Sequence, residues 1–371
     1  MPSAGPWYLV ENADDIPSPA LLIYRARVEA NLRQMVAIAG GAERLRPHVK
    51  THKLAEVTRL QMAAGTTRFK CATIAEAEMV ASCGARDVLL AFQPVGPNVG
   101  RLRQLAERFS ETSFSTVVDD EAALERISAG FNDAPAPLDL LLDLDVGMHR
   151  SGIAPGRRAA DLYARIAAVP GVRQGGVHAY DGHIRDFDLQ ARAAAADRAF
   201  APVRDLVAAL RGDGHAVPRI VVGGTPTFPV HAPRDGVELS PGTCVFWDAG
   251  YGASLPDLPF QPAALVLTRV VSRPGGNRLC LDLGHKAIAS ESPHPRVQLL
   301  NLPDATAVLH SEEHLVVETP RADALAVGDC CYGVPWHICP TVALHAEAVV
   351  IEGGRATDLW RVASRDRRLT I

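Results

Sequence analysis

The sequence lacks a surplus of either charge. Its 38 lysines and arginines stand against 42 aspartates and glutamates, a net −4 with pI near 6.4. That balance leaves no electrostatic footprint for nucleic acid or an anionic membrane. No apolar run reaches the length a membrane span needs. The opening MPSAGPWYLVENADD has neither the basic nor the apolar region of a secretory signal. Cysteine is sparse and scattered: Cys71, Cys83, Cys244, Cys280, Cys330, Cys331 and Cys339. An odd count without a regular spacing argues against a disulfide framework and for a reducing, cytoplasmic setting. Aromatic residues make only 5%. What remains, 47% apolar and 22% charged, is the composition of a soluble globular chain, and 371 residues suit one large and one smaller domain.

From residue 20, short apolar runs rich in β-branched residues alternate with stretches of helical spacing. The runs are ALLIY (20–24), LRPHVK (45–50), RFKCAT (68–73), DVLLAF (87–92), FSTVVDD (114–120), LDLLLDLDV (138–146), GGVHAY (175–180) and RIVVGG (219–224). Eight strands interleaved with seven helices predict an α/β fold, a (β/α)8 TIM-type barrel over 20–245. An open doubly wound sheet is the other α/β solution, but no GxGxxG turn follows ALLIY. After about residue 245 the helical spacing gives way to strand-like runs such as AALVLTRVVS, NRLCLDLG and EHLVVETP, broken by Pro and Gly. These predict a C-terminal all-β domain over 246–371, joined by residues 1–19 with WYLVEN as an added strand.

RPHVKTHK (46–53) packs two lysines, two histidines and an arginine into one short stretch. In an extended RPHVK, alternation sets His48 and Lys50 on one side and Val49 on the other. A lysine ending a barrel strand projects toward the barrel mouth, where desolvation frees its amine for Schiff-base chemistry. A solvated charged loop is the plain alternative. IVVGGTPT supplies Gly223, Gly224, Thr225 and Thr227, a turn whose amides and hydroxyls suit a phosphate. LSPGTCVF offers a second, with Gly242 and Thr243. Each is also an ordinary strand-end turn; both beside the lysine suggest a phosphorylated carbonyl cofactor, pyridoxal phosphate. DLDVGMHRSG (143–152) carries Asp143, Asp145, His149 and Arg150, with Arg150 suited to a cofactor ring oxygen, a substrate carboxylate or a surface salt bridge. In GGVHAYDGH, His178 and Tyr180 fall on one side, where Tyr180 either meets the cofactor or packs in the core. In PWHICPTV (335–342), His337 and Cys339 lie two apart. Extended backbone would point both the same way, able to chelate one metal with positions left open for water and substrate. A strand histidine beside a buried thiol is the alternative.

RPHVKTHK, DVGMHRSG, HAYDGH, GGTPT, SPGT and HICPTV occur in this order along essentially the whole chain. Together they resemble the metal-activated, pyridoxal-phosphate-dependent D-threonine aldolase and D-serine dehydratase family, of alanine racemase-like (fold type III) architecture. The resemblance implies that Lys50, rather than Lys53, bonds the cofactor's aldehyde. It implies that Gly223, Gly224 and Thr225, with Gly242 and Thr243, hold its phosphate, and that Arg150 and Tyr180 line it. His337 and Cys339 would bind a divalent metal at the substrate's β-hydroxyl, with His337 or a metal-bound water taking the proton. Family members are homodimers with active sites between the barrel of one subunit and the β domain of its partner. Aldolases of the family often carry His-x-Asp and dehydratases His-x-Cys; Cys339 follows the second pattern and favours Zn²⁺, with Mn²⁺ or Mg²⁺ as other candidates. The HICPTVALH context resembles the aldolase branch.

The implied reaction is retro-aldol cleavage of a β-hydroxy-D-amino acid to glycine and an aldehyde. Dehydration of D-serine or 3-hydroxy-D-aspartate would use the same residues, the torsion about Cα–N selecting between them. A non-catalytic pyridoxal-phosphate-binding protein has no need of an added β domain with a metal pair. Racemisation would require a second base on the opposite face.

Overall fold

A computed structural model describes residues 5–370, so the ends of the expected domain ranges at 1–4 and 371 lie outside the described residues. Two compact units divide the chain. One takes the described part of Met1–Leu32 with Thr51–Leu54 and Thr243–Arg365. The other takes Arg33–Lys50, Ala55–Gly242 and the described part of Asp366–Ile371.

In chain order the first half comprises β1 (Ala20–Tyr24), α1 (Arg25–Ala39), α2 (Ala55–Ala63), β2 (Arg68–Cys71), α3 (Ile74–Ser82), β3 (Asp87–Leu90), α4 (Asn98–Arg108), β4 (Ser113–Val118), α5 (Glu121–Phe131), β5 (Leu138–Leu144), α6 (Arg157–Ile166), β6 (Val172–Ala179), α7 (Leu189–Gly212), β7 (Ile220–Val222), α8 (Phe228–His231) and β8 (Glu238–Leu239). Strands β2 to β8 form one parallel sheet in sequence order, the topology that βα repeats impose. β5, LDLLLDL, is buried at every position, as a parallel strand covered on both faces must be. Leu89, Val117, Leu141 and Val221 meet as one apolar layer inside the sheet.

The eighth stave is not a regular strand. Pro47 has no amide to donate, so LRPHVK makes only isolated bridges, Leu45 to Leu239 on one side and His48 to Lys70 on the other. Arg46 N–H donates to Leu239 O at 2.8 Å, His48 N–H to Pro241 O at 2.8 Å, and Lys70 N–H to Pro47 O at 2.9 Å, so the sheet closes on itself. The guanidinium of Arg46 is fully buried, a placement that requires partners. It binds Asp87 through two parallel bonds of 2.7 and 2.8 Å and Glu238 at 2.5 Å, and Arg68 reaches the other Glu238 oxygen at 3.1 Å. At Lys50 the backbone tightens into a 3₁₀ turn over Val49–Thr51.

Three strand expectations therefore change. ALLIY is a strand, but β1 belongs to the β-rich unit and pairs there rather than in the parallel sheet, because an all-apolar run fits any central position and its partners are not local. RPHVK is not extended through Lys50, so alternation does not set its direction. The last parallel strand is the two-residue β8, which carries a glutamate and shows no period.

The β-rich unit continues with α9 (Ala249–Ser254), β9 (Ala264–Gly275), β10 (Arg278–Leu281), β11 (Val297–Leu299), β12 (Thr306–His310), β13 (Leu315–Glu318), β14 (Cys330–Pro335), α10 (Ile338–Leu344), β15 (Glu347–Glu352) and β16 (Arg355–Arg361). Its sheet runs β12-β13-β10-β9-β1-β15-β16, with β14 pairing β9 and β11. WYLVEN forms turns rather than a strand. Even so, Val10 joins this unit's core, and Glu11 N–H donates to Gly354 O at 2.8 Å. Among the described residues, no helix is long and apolar enough to cross a membrane.

Candidate functional site

Inside the parallel sheet, neighbouring strands put their register partners on the same face. Lys70 of β2 is the partner of Leu89, a member of the interior layer, so its side chain points inward. On β5, Leu141 belongs to the same layer, and two residues on Asp143 faces inward too, with His178 of β6 as its partner. A carboxylate only accepts, so His178 Nδ1–H donates to Asp143 Oδ1, at 2.7 Å. Burial holds the imidazole's pKa below its usual value despite that carboxylate, leaving it neutral. Its Nε2 is buried without a hydrogen-bond partner among the described residues, a bare lone pair facing the interior.

Beyond His178 the chain places Tyr180 at the centre of a cation cluster. Lys50 Nζ, Lys70 Nζ and the Arg150 guanidinium lie 5.9, 5.5 and 5.1 Å from the centroid of its ring. Glycines make room for that ring. A Cβ on Gly182 would come within 2.2 Å of the Tyr180 hydroxyl, and one on Gly224 within 2.9 Å of its ring edge. Arg150 extends from a loop that Asp145 ties down, accepting from the amides of Gly147 and His149 at 2.9 and 3.0 Å. Lys70 is sealed from solvent, and burial, reinforced by the charge of Lys50, pulls its amine down to about 7.

The two glycine turns meet. Gly223 has φ of +77°, a conformation glycine adopts without strain, and Gly224 N–H donates to Thr227 Oγ1 at 3.2 Å. Gly242 N–H donates to Thr225 Oγ1, also at 3.2 Å. Thr227 does not face a ligand: its hydroxyl donates to buried Asp181 at 2.6 Å. His231 Nδ1 accepts from Arg234, so its Nε2–H donates to the other Asp181 oxygen at 2.8 Å. This buried relay braces the turn from behind. Three cations around an aromatic plate, a glycine cradle and an unsatisfied imidazole nitrogen fit a planar, anionic heterocycle bearing a phosphate, which pyridoxal phosphate is.

In the β-rich unit, His337 stands at the N-cap position of α10 and Cys339 in its first turn. The expected extended HICPTV is thus a helix start, and the two side chains converge for that reason instead. Burial works against charge on His337, but hydrogen bonding to Cys339 and Glu291 outweighs it and lifts the imidazole to about 9. His337 Nδ1–H donates to Glu291 at 2.5 Å, so Nε2 is the nitrogen that could hold an ion. Thr51 and Thr243 place their hydroxyls 3.2 and 3.6 Å from the Cys339 sulfur. Asp248 caps Ile338 N–H at 3.1 Å. Among the described residues no three or more His, Cys, Asp or Glu side chains form a metal cage. His337 and Cys339 would offer an ion one nitrogen and one sulfur, a set that leaves positions open and in which sulfur suits zinc.

Lys70, His231 and Glu291 lay outside the quoted motifs, and Asp181 lay within HAYDGH without being singled out. Lys70 reads as a surface residue between two hydrophobic neighbours. Glu291 sits in SESPHP, which has no period. Alternation on β2 could have flagged Lys70, because Phe69 and Cys71 occupy the other face.

Comparison with known proteins agrees along the chain. Residues 23–249 match the family model of the alanine racemase N-terminal domain, and 263–351 match that of a putative serine dehydratase domain. A D-threonine aldolase of Arthrobacter sp. is 32% identical, covering 94% of this chain and 93% of its own length. The crystal structure of D-threonine aldolase from Filomicrobium marinum superposes with a TM-score of 0.88 at 31% identity, over 95% of this chain and 96% of that one. D-threo-3-hydroxyaspartate dehydratase from Delftia sp. HT23 gives 0.81 at 26% identity, over 93% and 97%. A cysteine-to-alanine mutant of that dehydratase is known in a metal-free form.

Proposed function

The chain belongs to the alanine racemase-like, fold type III family of pyridoxal-phosphate enzymes, and from that premise we propose that it is a carbon–carbon lyase of D-threonine aldolase type. Its reaction is retro-aldol cleavage of a β-hydroxy-D-amino acid to glycine and an aldehyde. The observation that carries the reading is the cluster of Lys50, Lys70 and Arg150 around Tyr180, in a chain 32% identical to an aldolase over nearly its whole length.

When bound, pyridoxal phosphate supplies an electron sink for the pair released at the substrate's α-carbon. Lys50 would provide the amine that holds its aldehyde. Arg150 and Tyr180 line the ring, and Gly223, Gly224, Thr225, Gly242 and Thr243 hold the phosphate. Neutral His178, fixed by Asp143, offers an acceptor to a buried N–H. His337 and Cys339 hold a divalent ion, zinc or manganese, whose Lewis acidity eases loss of the β-hydroxyl proton. Glu291 keeps the Nδ1 proton of His337 in place, so that Nε2 would be the nitrogen to hold the ion. The reading extends to a homodimer, as the family resemblance implies, and to a cytoplasmic setting, as the scattered cysteines imply.

Dehydration is the second reading, favoured by one residue: Cys339 stands where the aldolase pattern often has aspartate. D-threonine with a divalent metal separates the two. Glycine and acetaldehyde are expected; 2-oxobutanoate and ammonia would replace the aldolase reading by the dehydratase one.

A further inference from the structure

Asp181, His231 and Thr227 have no part in the chemistry above, yet they are buried polar side chains joined in one line behind the first glycine turn. The far end of that line imposes its direction. Arg234, paired with Asp197, carries a guanidinium that can only donate, and its Nε–H reaches His231 Nδ1 at 3.0 Å. His231 must then carry its proton on Nε2, which donates to Asp181 Oδ2 at 2.8 Å. The carboxylate only accepts, so its other oxygen takes the Thr227 hydroxyl proton, at 2.6 Å. With that proton committed, Thr227 Oγ1 meets Gly224 as an acceptor and draws in its amide at 3.2 Å. His231 also packs on the turn directly: a Cβ on Gly223 would lie 3.2 Å from its ring carbon Cδ2 and 3.4 Å from Thr227 Oγ1. From His231 to Gly224 the line is buried, where a missing or reversed bond leaves a polar group unpaired.

We propose that Asp181 and His231 are positioning residues for the cofactor's phosphate: acting through Thr227, they hold the Gly223–Gly224 turn in the shape that receives it, and so set phosphate affinity without touching phosphate. This rests on the proposed function, since it presupposes that the turn holds that phosphate.

The test compares two aldehydes that differ only in the phosphate group, pyridoxal 5′-phosphate and pyridoxal. The dissociation constant of each for the full chain is read from the absorbance of the captured aldehyde. His231→Leu cuts the line, and Asp181→Asn can accept only one of its two hydrogen bonds. In both, pyridoxal 5′-phosphate should bind about tenfold more weakly while pyridoxal shifts by less than about twofold. Thr227→Val, which loses one hydroxyl at nearly constant shape, should behave alike. His231→Gln and Thr227→Ser keep the donor and should restore most of the affinity. Melting temperature identifies any variant that does not fold, and Thr227→Val, the smallest change, then decides. Equal losses for both aldehydes, no loss for either, or His231→Gln grouping with His231→Leu overturns the proposal and leaves the line as core structure. An unsubstituted chain that binds pyridoxal 5′-phosphate no more tightly than pyridoxal overturns the functional reading itself.

Discussion

Of the three cations around Tyr180, Lys70 is the one whose charge burial loosens, its amine drawn down to about 7. That difference makes residue identity decisive. Lys50→Ala should lose both the cofactor absorbance and lyase activity, while Lys53→Ala, altered three positions on, should keep the absorbance; the reverse pattern would show the attachment at Lys53. Lys70 is expected to cost stability. Its folded pKa, about 7, lies below the ordinary 10.5, so the penalty for sealing it is absent above 10.5 and grows as pH falls toward 7. Lys70→Met should therefore melt above the unsubstituted chain at pH 7 by calorimetry, the expected signature of a residue kept for function. Glu291→Gln keeps the shape but loses the charge beside His337. Zinc affinity read by competition with a chromogenic chelator should fall about 10- to 100-fold, with the cofactor absorbance unchanged. Lys50, Arg150 and Tyr180 were legible because each ends or follows a recognisable apolar run. Lys70 and Glu291 were not, because their significance lies in which neighbours the fold supplies.

At the scale of elements, a strand's existence was easier to read than its partner. β3 to β7 were visible as buried apolar runs, since a parallel strand covered on both faces allows little else. ALLIY looks the same in composition but pairs with β9 and β15, strands more than two hundred residues away. β8 was invisible because its Glu238 is selected to meet Arg46 and Arg68, not to fill a core. The HICPTV pair was found by an argument from extended backbone that α10 replaces; His337 and Cys339 meet across a helix start instead. The Arg46 network yields an element-level prediction. Arg46→Met strands Asp87 and Glu238 without their buried cation, and should cost about 3–5 kcal/mol in urea unfolding. A loss below about 1 kcal/mol would mean that these carboxylates reach other partners.

For the molecule as a whole, acid is the condition to which the β-rich unit is most exposed. Arg296 donates to His285 Nε2 and His310 Nδ1, at 3.2 Å each, and both rings must be neutral to accept. Burial, then the nearness of the His285 ring and of the Arg296 guanidinium, press His310 down to about 4 from an ordinary 6.5. A depressed folded pKa means that its contribution is whole above 6.5 and is lost as pH falls toward 4. His310→Gln should lose less stability than the unsubstituted chain between about pH 7 and pH 5, measured by urea midpoints; equal losses would acquit the cluster. The clasp that fastens the hoop of parallel strands is also the piece bearing Lys50, the amine proposed to hold the cofactor, and three main-chain amides hold it. A brief unfastening at Arg46, His48 and Lys70 would therefore disarm the catalyst long before the molecule unravelled. Deuterium uptake at those amides would report a local event that the melting curve does not record.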